Sequence, residues 1–240
     1  MGKNKLNYLL QAVITKFEQL PRGKVLDLGC GDGDYSMALH KQGFEIIAAD
    51  IDRTRFRYAS QIPFEYCDIT KILPFPDNSF DYILLIEVVE HLRNPYDVLF
   101  EINRIIKNKG SIILSTPNIL NLKSRFRFLF EGAYEYFREP PLDQVKNPKE
   151  NAFNLHLAPY RYQELEYLLL TSGFKVVDIF TSVCEGYGMG FLLFPLWLQA
   201  FLKEHRAYKI GGVDYRRIHN ILLSKDLLFG RHLIVRAEKN

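Results

Sequence analysis

Cysteine is scarce in this chain, and its scarcity excludes two kinds of site. The 240-residue sequence contains three cysteines, Cys30, Cys67 and Cys184, which lie far apart and form no C-x-x-C pair. An odd number of scattered cysteines predicts neither a disulfide framework nor a structural zinc site. We therefore expect a reducing compartment, and we predict no metal site from this sequence.

Excess charge and a targeting signal are also missing. The chain has 31 Lys and Arg against 28 Asp and Glu, a formal net charge of +3, which is too small to indicate a nucleic-acid partner. Its first residues, MGKNKLNYLLQAV, lack the apolar region and the cleavage site of a signal peptide, and Leu6 stands where a myristoylation signal has Ser or Thr. These absences favour a cytoplasmic protein.

Short apolar runs alternate with helical patterns over the first 118 residues. After a helical pattern at about residues 5–20, the predicted strands are KVLDLG, FEIIAAD, PFEYCDI, FDYILLIE and SIILSTPN. Helical patterns lie in YSMALHKQG, near Glu90 and in PYDVLFEINRIIKNKG, which we expect to end at Gly110. This alternation predicts βαβ units and a parallel sheet.

The pattern changes after Asn118. A helix, RYQELEYLLLTSG, and a strand, FKVVDIF, follow later, and the last predicted strand is GRHLIVRAE. Two long insertions, at about 119–160 and 181–225, come after predicted strands, at the sheet edge where α/β proteins bind ligands. We predict a single domain over residues 1–240, with seven strands and these two substrate-side insertions.

The run VLDLGCGDGDYS has a glycine at every second position, Gly29, Gly31 and Gly33. Glycines let the backbone turn tightly and let a ligand approach it, and Asp50 at the end of the next strand suits a ribose. A dinucleotide, an adenosyl sulfonium and a turn without ligand all remain open at this point. The G-x-G-x-G spacing, with Asp32 and Asp34 between and after the glycines, favours a cationic sulfonium over a pyrophosphate.

Five segments carry a resemblance to a known family. VLDLGCGDGDYS, IIAADID, FEYCDIT, LPFPDNSFDYILLIEVVEHL and LRNPYDVLFEINRIIKNKGSIILSTPN, in this order, resemble the class I S-adenosylmethionine-dependent methyltransferases of the type 11 group, in its bacterial glycan and small-molecule branch. The resemblance implies an α/β, Rossmann-like fold with a seven-stranded sheet in the order 3-2-1-4-5-7-6, strand 7 antiparallel and helices on both faces. It also implies S-adenosylmethionine as the cofactor.

The same resemblance implies roles for individual residues, all of which follow strand ends. The methionine part of the cofactor would lie at the glycine loop above Asp27, the ribose at Asp50, and the adenine between Ile51 and the Asp68 region. Two of these residues have an alternative role without a ligand: Asp68 would be an ordinary aspartate in a turn, and Glu87 would be a solvated glutamate at a strand end. The implied cofactor-binding residues are Asp27, Gly29, Cys30, Gly31, Gly33, Asp50, Ile51, Asp68, Ile69, Ile86 and Glu87.

The acceptor is less well determined. No N-P-P-Y or D-P-P-Y follows the fourth strand, where the chain has IEVVEHL, and this departure favours an oxygen or carbon acceptor over nitrogen. His91 resembles a histidine that is often structural in the family. His156, in NAFNLHLAPYRYQELEYLL, resembles the H-x-x-x-Y-x-x-x-E-L segment of methyltransferases acting on glycans, lipid-linked saccharides and quinones. We predict His156 as a general base with Tyr160 as its partner, or else a histidine that caps or packs.

Each insertion contains a segment that has more than one interpretation. NLKSRFRFLFEGAYEYF suits single-stranded nucleic acid, or an amphipathic helix with Leu122, Phe126, Leu129 and Phe130 on its apolar side. It also resembles a segment of bacterial methyltransferases linked to surface polysaccharide synthesis. The uncharged run over 186–202 predicts a buried or lid helix, or an interfacial helix in peripheral contact with a membrane.

We therefore predict an enzyme that transfers a methyl group from S-adenosylmethionine to a hydroxyl of a sugar, a lipid-linked saccharide or another small molecule. Methylation of a quinone-like aromatic precursor at carbon or oxygen is the first alternative. A non-catalytic cofactor-binding protein and a nicotinamide oxidoreductase are the others. We expect a cytoplasmic location, with or without membrane association, and no nucleic-acid partner.

Overall fold

Seven strands form one sheet that follows the predicted order. The computed structural model describes residues 3–137, 156, 158–185, 209–210 and 213–240. The order is β3-β2-β1-β4-β5-β7-β6, in which β1 to β5 run parallel and β7 is antiparallel to both of its neighbours. The predicted fold class is confirmed. The strands are β1 Lys24–Leu28, β2 Glu45–Asp50, β3 Phe64–Tyr66, β4 Phe80–Ile86, β5 Ile106–Pro117, β6 Phe174–Phe180 and β7 His232–Lys239.

Seven α-helices accompany the sheet in the described part of the chain. Single 3-10 turns occur at Arg53–Arg55 and Val89–His91, and a short hairpin pairs Lys209–Ile210 with Val213–Asp214. The sequence analysis did not predict that hairpin. The helices are α1 Lys3–Glu18, α2 Asp34–Lys41, α3 Pro95–Ile105, α4 Leu122–Glu131, α5 Tyr162–Thr171, α6 Arg216–Leu222 and α7 Lys225–Phe229.

Two hydrophobic clusters cover the two faces of the sheet. Along β1, Leu26 and Leu28 pack into one cluster with side chains of α3 and α5, while Val25 packs into the other with side chains of α1 and α2. The same alternation continues through β4, β5 and β7. Because both faces are covered, the central strands are apolar at nearly every position, as parallel sheets require. The helices cover the faces of the sheet, so the loops that follow the carboxyl ends of the central strands remain accessible.

The end of α3 corrects one prediction. The helix stops at Ile105 and β5 begins at Ile106, so the predicted helix end at Gly110 is wrong. Ile106 is fully buried and pairs with Phe80 of β4, and the register shifts after that pair. A Cβ on Gly110 would lie 2.9 Å from the Asp81 carbonyl oxygen. Strand pairing and burial therefore override the helical pattern, and the glycine serves a close approach inside the strand.

The two insertions are only partly described. Helix α4 exists as predicted and buries Leu122, but Leu129 and Phe130 are 72% and 80% exposed, so the expected apolar side is wrong for the last turn. The segment 186–202 lies outside the described residues. Within the described ranges, no helix has the length and apolar character that a membrane crossing needs.

Asn118 joins the end of β5 to the start of β7. Its side-chain amide donates to the carbonyl oxygens of Leu227 at 3.0 Å and Gly230 at 2.9 Å, and its Oδ1 accepts from the Leu120 amide at 3.0 Å. Asn118 is 2% exposed, so these backbone groups have little access to water. One asparagine thus satisfies several buried backbone groups beside the carboxyl edge of the sheet.

We expect Asn118→Ala to lower the free energy of unfolding by about 1–3 kcal/mol, because buried carbonyl oxygens lose their donor. Asn118→Asp should cost more, since a carboxylate would then face carbonyl oxygens. Urea unfolding followed by circular dichroism measures both, with the exposed Asn240→Ala as control. An Asn118→Ala variant as stable as the wild type contradicts this role.

Candidate functional site

The glycine loop after β1 has a backbone that only glycine adopts readily. Gly29, Gly31 and Gly33 have φ angles of 78°, 51° and 85°, all in the left-handed region. A Cβ on Gly29 would lie 2.6 Å from Cγ2 of Val88, and one on Gly33 would overlap the ring of Phe56. Conformation therefore favours glycine at all three positions, and space also demands it at Gly29 and Gly33.

Asp50, at the end of β2, is tied to this loop. The Gly31 amide donates to Asp50 Oδ2 at 2.9 Å, and the Asp52 amide donates to Asp50 Oδ1 at 2.9 Å. Each carboxylate oxygen keeps lone pairs for further donors. Ile51 is 39% exposed, which is unusual for a residue directly after a buried strand. A half-buried carboxylate beside an exposed apolar side chain can receive a ribose and the flat face of a base.

Asp27 lies inside β1 beneath the loop and is 2% exposed. Its Oδ2 accepts a hydrogen bond from the Ser36 hydroxyl at 2.6 Å, at the start of α2. Burial raises the pKa of Asp27 to about 6, against the lowering effect of that hydrogen bond. Burial likewise raises the pKa of the Cys30 thiol, so this cysteine is a core residue whose backbone alone faces the loop.

The acidic residues that accompany the glycines are not free charges. Asp32 lies 3.3 Å from an Arg55 guanidinium nitrogen, and Asp34 lies 2.5 Å from Arg57 and accepts from the Tyr58 hydroxyl at 3.0 Å. These exposed ion pairs weaken the local negative field that favoured a sulfonium over a pyrophosphate. The choice of ligand therefore depends mainly on the loop geometry and on the strands that follow.

Asp68 and Ile69 follow β3 and lie near Asp50. The Cys67 amide donates to the Asp50 carbonyl oxygen at 3.0 Å, which brings the ends of β2 and β3 together. Asp68 Oδ1 accepts from the amide and the hydroxyl of Thr70, and the side-chain bond is the main cause of its lowered pKa. Ile69 packs against the core. Asp68 is thus an ionised, half-buried acid in a turn, and its adenine-binding role stays a prediction.

The end of β4 carries Ile86 and Glu87. Ile86 is 9% exposed, and Glu87 has a φ angle of 53°, an uncommon value for a non-glycine residue. The Ser115 hydroxyl of β5 donates to Glu87 Oε1 at 2.7 Å, and His232 Nε2 lies 4.0 Å from Oε2. Burial raises the pKa of Glu87 to about 7, and the charge of Arg231 opposes this rise. Glu87 is therefore held in place rather than simply solvated.

Beyond Glu87 the chain makes a single 3-10 turn, Val89–His91, where a longer helix was expected. This turn contacts His156, which follows His91 by 65 positions in the sequence. The rings of His91 and His156 are 4.8 Å apart, and the Ala158 amide donates to the Glu90 carbonyl oxygen at 3.1 Å. His156 thus lies at the carboxyl end of β4.

The geometry of His156 assigns its tautomer. Nδ1 lies 2.6 Å from the carbonyl oxygen of Tyr136, and a carbonyl oxygen can only accept, so Nδ1 carries the proton in the neutral ring. The lone pair is then on Nε2. Tyr160, by contrast, packs against the hydrophobic core, and burial raises its pKa. The predicted pair is therefore divided between two environments.

Sequence reasoning missed Glu90 and Ser115. Glu90 is fully buried, and Ser115 orients Glu87 from the neighbouring strand. A signal for Glu90 was available, because E-V-V-E-H spacing places two acids and a histidine on one tight turn. Ser115 had no such signal, since it lies within an ordinary strand sequence.

Comparisons with known proteins agree with this geometry. A family model described as a methyltransferase domain matches residues 26–114. The ubiquinone biosynthesis O-methyltransferase of Rickettsia bellii is 31% identical over 121 residues, which are 48% of this chain and 50% of that protein. The chain thus spans about half the length of the curated relatives it matches.

Solved structures share the fold over nearly the whole chain. A SAM-dependent methyltransferase from Archaeoglobus fulgidus has a TM-score of 0.58 at 19% identity, with 96% of this chain and 94% of that chain covered. The [4+2]-cyclase SpnF has a TM-score of 0.54 at 18% identity, with 96% and 80% covered. Because the second structure bears the name of a cyclase, the fold by itself does not identify the reaction.

The buried Asp27 predicts a pH-dependent stability. Its pKa of about 6 lies above the unfolded value near 3.8, so the folded protein binds more protons between these values. Stability should therefore fall as pH rises from 4 to 7, by about 3 kcal/mol relative to Asp27→Asn. Chemical unfolding at several pH values measures this difference. Glu65→Gln, which removes an exposed carboxyl, is the control, and parallel curves for wild type and Asp27→Asn contradict the prediction.

Proposed function

Because residues 26–114 belong to the family of S-adenosylmethionine-dependent methyltransferase domains, we propose that this chain transfers a methyl group from that cofactor to a hydroxyl oxygen of a small-molecule acceptor. The observation that carries the proposal is the link between the glycine loop and Asp50, made by the Gly31 amide. The recognition of the family from the sequence is confirmed for this segment. The activity of the whole chain is our inference.

The described residues fit the cofactor along one edge of the sheet. The backbone of the glycine loop would hold the methionine part, with Glu87 beside it. Asp50 would accept hydrogen bonds from the ribose hydroxyls, and Ile51 would cover the adenine, whose amino group would donate to Asp68. The bound cofactor supplies an already activated methyl group, so the protein has to align the acceptor oxygen and exclude water.

The acceptor lies on the side of the Val89–His91 turn and His156. An oxygen acceptor is supported by the absence of an N-P-P-Y segment after β4, and by the O-methyltransferase names of the curated relatives. Those names favour the quinone-like aromatic alternative. The sugar or lipid-linked saccharide alternative rests on the segment resemblances in 119–160, of which 138–155 lie outside the described residues.

His156 presents Nε2, which carries the lone pair, at this side of the site. Such a nitrogen can take the proton of an acceptor hydroxyl, or it can bind a cation that makes the hydroxyl more acidic. Both uses leave cofactor binding unaffected. Tyr160 remains the predicted partner of His156.

Asp50→Ala should weaken S-adenosylmethionine binding by about 1–3 kcal/mol, a loss of roughly five- to hundredfold in affinity, because charge-assisted hydrogen bonds to the ribose disappear. Isothermal titration calorimetry measures it. The control is Glu45→Ala, which removes an exposed carboxylate at the opposite end of the same strand. No binding by the wild type at millimolar cofactor contradicts the proposed function itself.

His156→Ala should lower kcat at least tenfold and leave the cofactor Kd unchanged, because the residue faces the acceptor and not the cofactor. The acceptor is identified first, by mass spectrometry of extracts and of defined phenols and saccharides incubated with methyl-labelled cofactor. The exposed His40→Ala is the control. Equal turnover of His156→Ala and wild type contradicts a role for His156 in the reaction, and loss of folding assigns it to structure.

A further inference from the structure

Three side chains with metal-binding atoms meet at the carboxyl end of β4. Glu90 and His91 come from the 3-10 turn, and His156 comes from the segment before α5. One oxygen or nitrogen from each lies within 4.8 Å of the others. Three points this close lie within about 2.8 Å of a common centre, while bonds from imidazole and carboxylate to a divalent cation such as Zn²⁺ are roughly 2.0–2.2 Å. Shifts of under about 1 Å would therefore close the site.

Glu90 is an unusual residue in the absence of a cation. Its side chain is fully buried, and neither carboxyl oxygen makes a hydrogen bond of normal geometry in the described part of the chain, although the Thr116 hydroxyl lies nearby. Buried polar groups are normally hydrogen-bonded, and buried charges are paired or coordinate metals. Glu87, which precedes this turn, is a second acid close enough to Glu90 to repel its charge.

The surroundings of His156 are those of a metal ligand. Histidines that bind metals usually donate their second ring nitrogen to a carbonyl or carboxylate, which fixes the ring and its tautomer. His156 Nδ1 donates to the Tyr136 carbonyl oxygen at 2.6 Å, so Nε2 is the nitrogen available for coordination. The Ala158 amide donates to the Glu90 carbonyl oxygen, which holds this segment against the turn.

We propose that Glu90, His91 and His156 bind a divalent cation beside the methyl-transfer site. Two imidazoles and one carboxylate suit first-row transition ions such as Mn²⁺, Fe²⁺, Co²⁺ or Zn²⁺ better than Mg²⁺ or Ca²⁺. Three protein ligands leave coordination positions open. This assignment rests on the proposed function: the acceptor hydroxyl would occupy one of these positions, and the cation would make its proton more acidic. The hydroxyl would release that proton to solvent water, its oxygen would form the bond to the methyl group, and the carbon–sulfur bond would break to leave the demethylated cofactor as a neutral thioether.

This site departs from the prediction of no metal, which considered cysteine spacing alone. Glu90 and His91 are adjacent in sequence, but 65 residues separate His91 from His156. The site also changes the role of His156, which would act as a ligand through Nε2 instead of as a general base.

Binding of the metal alone tests the proposal. Protein treated with a chelator and dialysed is titrated with Mn²⁺, whose free form is followed by electron paramagnetic resonance, and with Co²⁺, whose visible spectrum reports nitrogen and oxygen ligands. We expect one saturable site per chain and an increase in melting temperature with Mn²⁺. Glu90→Gln and His156→Gln should each weaken binding at least tenfold.

Both variants are close in size to the residues they replace, and circular dichroism checks that they fold. His40→Gln, on the exposed face of α2, is the matched control and should bind the cation as the wild type does. The proposal is overturned when the folded wild type shows no saturable Mn²⁺ or Co²⁺ binding below millimolar concentration. It is equally overturned when both substitutions leave the Kd unchanged.

The same samples separate this proposal from the proposed function. Calorimetry with S-adenosylmethionine on the chelator-treated protein tests cofactor binding without the cation. Cofactor binding without cation binding overturns the metal site and keeps the proposed function, with His156 as a base. Cation binding without cofactor binding overturns the proposed function and keeps the metal site. When both bind, chelator should lower turnover at least tenfold and Mn²⁺ should restore it.

Discussion

The hydrogen bond from the Gly31 amide to Asp50 connects the two strand ends on which the site depends. The glycine loop has no regular secondary structure of its own, and its left-handed residues would be free to adopt other conformations without a partner. Asp50 supplies that partner and is itself held by the Asp52 amide. Because β1 and β2 are adjacent and parallel, their carboxyl ends meet at this edge. Together with the Gly29 and Cys30 amides, which donate to the Ala49 carbonyl oxygen, this contact holds the loop beside Asp50.

The sheet could be predicted from sequence because both of its faces are buried. Continuous apolar strands separated by helical patterns leave few alternative topologies, and the resemblance to a known family fixed the strand order. The boundary at Ile106 could not be predicted, since the residues after it have helical spacing and only pairing with Phe80 turns them into strand. Leu129 and Phe130 show the same limit, because spacing places residues on a face but does not say what covers that face.

The candidate site divides in a similar way. Its proposed cofactor side consists of residues close in sequence to strand ends, so spacing predicted Asp50, and the family resemblance implied Asp68 and Glu87. Its acceptor side is built by contact between distant segments, namely the turn after β4 and the segment around His156. Only the folded chain reveals that Ser115 orients Glu87 or that Glu90 is buried without a hydrogen bond of normal geometry among the described residues. The sequence also did not show that Asp32 and Asp34 form ion pairs with Arg55 and Arg57.

Two buried acids, Asp27 and Glu90, and the half-buried Glu87 lie near the carboxyl edge of the sheet, and each has different partners. Asp27 accepts from Ser36 and stabilises the first turn of α2, so it belongs to the fold. Glu87 accepts from Ser115 and lies in the field of Arg231, so it can be ionised near neutral pH beside a cationic cofactor. Glu90 has only the nearby Thr116 hydroxyl in the described chain, and a buried carboxyl without a well-formed hydrogen bond is costly. The cation that we propose between Glu90 and the two histidines would remove this cost.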